Sequence, residues 1–263
     1  DGTVMPQVSR PRPAAVLVDA KFGFAQPAFA AALQEAVAAA LENGVATLAV
    51  AHAHTCTSLG YFTEQIAAAG LIGIGMTNAS PVVAPPGGNK RVIGTNPIAM
   101  TVPGEDGPVM HFDFSTSAVA LGKITMAKAA GEPIPLGWAV DENGAPTTDP
   151  NAALKGALVS AGGYKGWGFG LMAELLAAGM TGSVNSLDVA GLKVAEGKPH
   201  DLGQFYILMD PGTYHADFGK RFARVAEAVA AQEGARIPGA DRKAATVIDV
   251  PDDLWSLVLR LSA

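Results

Sequence analysis

The interpretation of this chain rests on Gly94-Thr95-Asn96-Pro97, followed by Asp113-Phe114-Ser115-Thr116-Ser117 and by Gly162-Gly163-Tyr164-Lys165-Gly166. Glycine and small hydroxyl residues recur in these stretches where apolar runs end, and the last stretch contains a lysine. Such sequences let a backbone approach a phosphate-bearing ligand closely. Neither common nucleotide fingerprint is present, because no G-x-G-x-x-G opens a helix after a strand and no G-x-x-x-x-G-K-[ST] occurs.

Composition and charge exclude several classes of protein. The chain has 263 residues, of which 49% are hydrophobic and 16% charged, so we expect a compact globular protein. A net charge of −6 without a long basic cluster disfavours nucleic-acid binding. Cys56 is the only cysteine, which excludes an intrachain disulfide, and no apolar run has the roughly 18–20 residues of a membrane span. The polar first 13 residues are unlike a signal peptide, so we expect a cytoplasmic protein without a membrane partner.

Hydrophobic periodicity predicts an α/β fold. Apolar runs predict strands at 14–19, 45–51, 71–77, 98–102, 109–114 and 204–209. Helical spacing predicts helices at 27–42, 63–69, 118–130, 165–178, 214–232 and 251–261. The first helix carries an apolar stripe of Phe29, Leu33, Val37 and Leu41. Residues 1–13 contain no predicted element. Because strands and helices alternate without strict regularity, a mixed sheet is expected rather than a purely parallel one.

Two histidines directly follow a predicted buried strand. His52 and His54 lie two positions apart and precede a Thr-Cys-Thr-Ser turn. Positions two apart on a strand share a face, so both imidazoles could point into one cleft and exchange a proton with an oxygen. A structural role remains an equal alternative. A metal site is less favoured, because no third ligand stands at a persuasive spacing.

Other reactive side chains carry weaker signals. Lys165 stands at a predicted helix start, where backbone N–H groups and the helix dipole favour an anion, although it could equally be a solvated lysine. Asp113 could accept from ribose hydroxyls, or it could cap the next helix, which is the more common role. Cys56 is more typical of a buried filler than of a nucleophile. His200 and His215 lie in polar surroundings and carry no signal.

Many of these segments, in this order, resemble the malate/L-lactate dehydrogenase family, which is unrelated to the Rossmann dehydrogenases. That family also includes ureidoglycolate and sulfolactate dehydrogenases, diketogulonate reductases, and piperideine- or pyrroline-2-carboxylate reductases. The resemblance rests on Gly70-Leu71-Ile72-Gly73-Ile74, Thr77-Asn78, Gly87-Gly88, Gly94-Thr95-Asn96-Pro97-Ile98-Ala99, Asp113-Phe114-Ser115-Thr116-Ser117, Gly122-Lys123, Gly137-Trp138-Ala139-Val140-Asp141, Pro146-Thr147-Thr148-Asp149-Pro150 and Lys165-Gly166.

The resemblance implies a homodimeric NAD(P)-dependent oxidoreductase with a non-Rossmann mixed sheet. It implies that NAD(P)H lies against Asp113, Phe114 and Ser115, against Lys165 and Gly166, and against Gly239, Ala240 and Asp241. We further expect two interleaved lobes. Residues 1–61 and 203–263 would form a discontinuous lobe for substrate and dimerisation, and residues 62–202 would form the NAD(P)-binding lobe.

The chain departs from the family pattern in two places. Counted back from Tyr61-Phe62, Thr55 occupies the position of the histidine that exchanges the proton in the family, and His54 lies one residue away. The resemblance also implies a preceding helical segment of roughly 60–70 residues, with a Ser-His-Gly stretch and an arginine that contribute to the substrate pocket. We therefore expect that these 263 residues alone do not assemble a complete site.

The leading hypothesis is hydride transfer between NAD(P)H and a small 2-oxo or 2-hydroxy acid, with His54 as the proton donor and His52 as the second choice. One alternative is reduction of a cyclic imino acid, pyrroline- or piperideine-2-carboxylate. Another is a cofactor-binding homologue that is inactive without an N-terminal segment.

Overall fold

The computed structural model describes residues 2–189, 199–242 and 247–262. Within these ranges the strands are β1 Gln7–Arg12, β2 Ala15–Asp19, β3 Val45–Ala53, β4 Ile72–Thr77, β5 Ile98–Val102, β6 Met110–Phe114, β7 Ala139–Val140, β8 Ala157–Leu158 and β9 Leu202–Met209. The α-helices are α1 Ala25–Asn43, α2 Gly60–Ala68, α3 Leu121–Ala130, α4 Pro150–Lys155, α5 Tyr164–Glu174, α6 Phe218–Ala230 and α7 Asp252–Ser262. Helix α5 continues into a π-helical segment, Leu175–Gly179.

The main sheet is mixed, as predicted. In the described part of the chain it has seven strands in the order β1-β2-β3-β9-β4-β5-β6. Strands β2 and β3 are parallel and joined through α1, while the other neighbouring pairs are antiparallel. Strand β9 lies between β3 and β4 although it comes more than 100 residues after either in the chain.

Helix α1 packs on one face of the main sheet through alanines. The predicted stripe is only partly correct, because Phe29 is fully buried but Leu41 is 58% exposed. The buried positions of α1 are Ala25, Ala28, Phe29, Ala32, Ala36, Ala39 and Ala40. Small side chains at these helical spacings allow the helix to lie close to the sheet, so the larger residues Leu33 and Val37 sit at the margin of the core.

Strand β9 separates the two cores of the sheet. Its residues Tyr206 and Leu208 belong to the core under α1 and α2, whereas Phe205 and Ile207 belong to the core under α5 and the π-helical segment. This alternation follows from the two-residue period of a strand. Because both faces of β9 are covered by a core, nearly all of its residues are apolar. Such a continuous apolar run is easy to recognise as a strand in the sequence.

Glycines on β4 allow α2 to approach the sheet. A Cβ atom on Gly73 would lie 2.9 Å from the Cβ of Ile66 in α2, and one on Gly75 would lie 2.8 Å from Cε1 of Tyr206. The alternation of glycine with larger residues along β4 therefore gives one face to the helix and the other to the second core.

Several predicted boundaries were wrong. The first 13 residues, expected to contain no element, include β1, a mostly exposed edge strand that pairs with β2. Polar edge strands lack the apolar run on which the prediction depended. Helix α6 begins at Phe218 rather than at 214, and the short elements α4, β7 and β8 were not predicted.

The division into lobes 1–61 plus 203–263 and 62–202 stays a prediction. The main sheet takes strands from both parts, because β9 joins β3 to β4. Among the described helices, none combines the length and the apolar composition needed to cross a membrane.

We predict that Gly203→Ala destabilises the fold. A Cβ atom at this position in β9 would lie 1.7 Å from the carbonyl oxygen of Ala177, so the strand or the π-helical segment must shift. The expected loss in the free energy of unfolding is about 1–3 kcal/mol or more, measured by urea denaturation. The control is Gly219→Ala in α6, where no described atom lies within 4 Å of the new Cβ and up to about 1 kcal/mol of stabilisation is expected. Equal stability of the two variants would contradict the packing described for β9.

Candidate active site

A β-bulge lies where β3 meets β9. The register runs from Val50 opposite Gln204 to Ala53 opposite Leu202, so two residues of β3 face the single Gly203. His52 in the bulge has φ of 51°, a left-handed conformation that is uncommon outside glycine. Bulges turn side chains away from the regular alternation and often lie beside functional sites.

The imidazole of His52 is held by a carboxylate. Its Nδ1 lies 2.8 Å from Oδ1 of Asp201, and its backbone N–H donates to Oγ of Ser183 at 2.9 Å. The ring also packs against Phe22, with centroids 5.6 Å apart. Three separate segments of the chain therefore hold His52 in the bulge.

The imidazole of His54 stacks on that of His200. The ring centroids are 4.9 Å apart and the planes differ by 19°, while Phe24 packs edge-on against His54 at 5.7 Å. His200 is 7% exposed. We refer to His52, His54 and His200 as the histidine cluster. The sequence indicated that His52 and His54 share a site. It gave no such indication for His200, because His200 is close to His54 in space but far from it along the chain.

A cavity of about 150 Å³ lies beside the histidine cluster. Among the described residues, its wall includes Thr55 and His200 but neither His52 nor His54. The wall residues are Thr55, Cys56, Thr57, Thr77, Asn78, Ala79, Ser80, Thr95, Pro97, His200 and Leu202. Hydroxyl and amide side chains line part of this wall, whose surface is otherwise more apolar than polar, so the cavity suits a small ligand with a few polar groups.

Cys56 is a buried thiol rather than a nucleophile. Burial, reinforced by the negative charge of Asp113, raises the pKa of Cys56 to about 12. At neutral pH such a group is almost entirely protonated, and the protonated form is a poor nucleophile.

Asp113 caps a helix, although not the one that follows it. Its Oδ2 accepts from the backbone N–H of Gly60 at 2.8 Å and from Oγ of Ser58 at 3.2 Å, at the start of α2. The expectation that it might cap the next helix in the chain is therefore corrected, since the antiparallel sheet brings the end of β6 to α2. The neighbouring Phe114 is 51% exposed.

The start of α5 lies next to the segment that follows β6. The backbone N–H of Ala161 donates to the carbonyl of Thr116 at 2.9 Å, and Ser115 Oγ lies 2.9 Å from Ser117 Oγ. Lys165 is exposed in the first turn of α5, and no side chain caps the helix at Gly163. Gly166 packs so closely on the Ala161 carbonyl that a Cβ would lie 1.9 Å from the oxygen.

The segment Gly239-Ala240-Asp241 lies along β6. His111 donates its backbone N–H to the carbonyl of Pro238 at 3.0 Å, and a Cβ on Gly239 would lie 2.8 Å from the carbonyl oxygen of His111. Asp241 forms an ion pair with Arg236 at 2.8 Å. One predicted cofactor segment therefore lies beside His111 in β6, and the start of α5, which carries another, lies beside Thr116 after that strand.

His111 itself is held inside the sheet as a structural histidine. Its Nδ1 lies 2.8 Å from Oγ1 of Thr101, inside the sheet edge. Burial lowers the pKa of His111, and the carboxylate of Glu64, 3.7 Å away, opposes this shift. No group of three His, Cys, Asp or Glu side chains within the described ranges is arranged to hold a metal ion.

Asn96 belongs to a buried polar network that the sequence did not indicate. Its Nδ2 donates to Oε2 of Glu174 at 2.8 Å and to the carbonyl of Gly170 at 3.0 Å, and its Oδ1 accepts from the Ala79 backbone at 3.2 Å. Glu174 also accepts the backbone N–H of Ser186 at 2.7 Å. Asn96 therefore shapes the cavity wall from behind instead of contacting a ligand.

Comparison with known proteins gives a consistent set of relatives. A family model described as malate/L-lactate dehydrogenase matches residues 1–253. The (2R)-3-sulfolactate dehydrogenase (NADP(+)) of Chromohalobacter salexigens is 39% identical over 229 residues, which cover 87% of this chain and 69% of that protein. The Δ1-pyrroline-2-carboxylate/Δ1-piperideine-2-carboxylate reductase of Pseudomonas aeruginosa is 37% identical, over 97% of this chain and 79% of that protein.

Among solved structures, the Δ1-piperideine-2-carboxylate reductase of Pseudomonas syringae pathovar tomato is similar with a TM-score of 0.82 at 37% identity. The alignment covers 91% of this chain and 73% of that one.

We predict that Asp113→Ala destabilises the protein even without any ligand. The change removes the acceptor for the first N–H of α2, and loss of such a cap lowers the free energy of unfolding by about 0.5–2 kcal/mol. Chemical denaturation of the ligand-free protein measures this loss. Asp106→Ala, in the exposed turn between β5 and β6, is the matched control and should change stability by less than about 0.5 kcal/mol. A stability equal to that of the control would rule out the capping role.

Proposed function

The chain belongs to the malate/L-lactate dehydrogenase family, and from this premise we propose that it transfers a hydride between NAD(P)H and a small 2-oxo or 2-hydroxy acid. The observation that carries the proposal is the position of the 150 Å³ cavity. Its wall contains Thr95, whose carbonyl accepts the backbone N–H of Thr116 next to the expected cofactor segments. The same wall contains His200, so a substrate in this cavity would have an imidazole beside it.

The residues around β6 fit a nicotinamide dinucleotide. The start of α5 presents backbone N–H groups with no side-chain cap and Lys165 in the same turn, a combination that suits a phosphate. Ser115 and Asp113 offer hydroxyl and carboxylate groups suited to a ribose, and both Asp113 hydrogen bonds to α2 use the same oxygen, Oδ2. The cofactor, when bound, supplies or accepts the hydride; the protein's contribution is to orient the substrate, exclude water and move the proton.

The substrate class has two candidates. The sulfolactate dehydrogenase relative is named for a 2-hydroxy acid, which supports a 2-oxo acid as substrate of this chain in the reductive direction. The pyrroline and piperideine carboxylate reductases are named for cyclic imino acids, and Thr55 at the family's histidine position supports that second candidate. Both substrates have a planar carbon bearing a carboxylate, so one small cavity with a few polar groups would suit either class.

The proton comes, in this proposal, from the histidine cluster. In reduction of a carbonyl it goes to the oxygen, and in reduction of an imine it goes to the ring nitrogen. An imidazole titrates in the range where it can both hold and release that proton. His54 as first candidate and His52 as second remain the sequence-based predictions, and the structure adds His200, whose ring stacks on that of His54.

The proposal includes a homodimer in the cytoplasm. The apolar side chains exposed on α6 and α7, among them Val225 and Trp255, support an interface, which sedimentation equilibrium tests. The single cysteine, buried and free, is compatible with a reducing compartment.

We predict that the full-length protein oxidises NADH or NADPH with one of the two substrate classes. The test is a panel of 2-oxo acids and of pyrroline- and piperideine-2-carboxylate, each with both cofactors, followed at the nicotinamide absorbance. Turnover at least tenfold faster with one class identifies it. Cofactor binding without turnover of any substrate would instead favour a cofactor-binding homologue, and absence of both would refute the proposal.

We predict that Lys165→Ala weakens cofactor binding. Loss of a charge-assisted bond to a phosphate costs about 1–3 kcal/mol, or roughly 5- to 150-fold in Kd. Fluorescence titration with NADPH and NADH measures the effect in a variant shown to be folded by circular dichroism. Lys128→Ala, an exposed lysine in the last turn of α3, is the control and should leave Kd unchanged. An unchanged Kd for Lys165→Ala would remove this lysine from the cofactor site.

A further inference from the structure

We infer that His200 is the catalytic residue of the histidine cluster, the one that donates its proton to the substrate in the 150 Å³ cavity. The inference rests on the proposed function and makes it more specific. It assigns the role of proton donor to a residue that lies almost 150 residues further along the chain than the two histidines that the sequence indicated.

The composition of the cavity wall leads to this assignment. Among its described residues, the side chains that can exchange a proton in water are Cys56 and His200, and the rest are hydroxyl, amide and aliphatic groups. Cys56 holds its proton far above neutral pH, for the reasons given above. Among the described wall residues, His200 is therefore the one whose side chain is of a type that commonly serves as a general acid.

The other two histidines of the cluster, His52 and His54, make contacts outside the cavity. His52 is bonded to Asp201 at 2.8 Å, and His54 lies between the rings of Phe24 and His200. Neither contributes to the described wall of the cavity. His54 stacked on His200 fixes the plane of the His200 ring, which makes His54 a positioning residue.

The backbone around His200 is also fixed. Two residues further on, β9 begins at Leu202, and Gly203 is bonded in both directions to the end of β4. Its N–H donates to Oδ1 of Asn78 at 3.0 Å, and its carbonyl accepts from Oγ1 of Thr77 at 2.8 Å. Thr77 and Asn78 are themselves in the cavity wall, so these hydrogen bonds hold the strand that follows His200 against two other wall residues.

The proton step balances in both substrate classes. As hydride adds to the carbonyl carbon, the C=O π electrons become a lone pair on oxygen, and protonated His200 gives that oxygen its N–H proton. With a cyclic imine, hydride adds to the ring carbon and the proton goes to the ring nitrogen. His200 is left neutral and takes up a proton from water before the next cycle.

The test compares substitutions at His200 and His54 in the full-length protein, assayed with the fastest substrate of the panel. His200→Asn is expected to lower kcat by about 10²–10⁴-fold with the Kd for NADPH within twofold of wild type. His54→Phe keeps an aromatic ring for stacking but cannot donate a proton, so a loss of less than about tenfold is expected. His215→Asn, an exposed histidine before α6, is the control and should be unchanged.

The pH dependence of kcat/KM gives a second readout, which would not change if His200 had only a structural role. Among the residues that the structure describes, the titratable groups near His200 include His54 on its ring face, Cys56 in the same cavity wall and the adjacent Asp201, which is paired with His52. His200→Asn should remove the basic limb of the kcat/KM profile, which arises when the general acid loses its proton, and His54→Phe should retain that limb.

The outcomes separate this inference from the function on which it rests. Near-normal turnover of His200→Asn, or a larger loss in His54→Phe than in His200→Asn, overturns the assignment and leaves the oxidoreductase proposal standing. If the wild-type protein turns over no substrate, and neither oxamate nor pyrrole-2-carboxylate shifts its histidine proton resonances in the presence of NADPH, the proposed function fails and the assignment fails with it.

Discussion

The insertion of β9 between β3 and β4 is the constraint on which the rest of the structure depends. Without that strand the sheet would consist of two unconnected halves, and both cores would lose one wall. Pairing across so long a stretch of chain closes a large loop, which carries a cost in entropy that the two-sided burial of β9 must offset. The two bonds between Gly203 and the Thr77-Asn78 pair set the register at which the strand enters.

A second constraint is the buried carboxylate of Glu174. A charged group that is only 6% exposed is costly unless its oxygens are hydrogen-bonded, and here Asn96 and Ser186 supply the donors. This network ties the loop before β5 to the end of α5 and to the segment near residue 186. The loop therefore behaves as a rigid wall of the cavity, although its proline and glycine content would otherwise permit many conformations.

The bulge in β3 links the fold to its proposed chemistry. In a regular strand, His52 and His54 would project from the same face, and the extra residue opposite Gly203 gives each of them a different neighbour. His52 meets a carboxylate and His54 meets another imidazole. Thr55, which stands where the family pattern has a histidine, is in the cavity wall, so the departure in sequence changes the side chain presented there.

The sequence by itself determined the family, the mixed sheet and most strands and helices, because apolar periodicity and glycine placement are local properties that a folded core preserves. It also pointed to the segments around Asp113, Lys165 and Gly239 before their proximity was visible. The tertiary structure decided what local patterns do not contain. The edge strand β1 depends on its pairing with β2, and the helix that Asp113 caps depends on how β6 meets α2. His200 lies beside His54 because β9 returns to the centre of the sheet, so its place in the cavity wall is a consequence of long-range pairing that no periodicity in the sequence records.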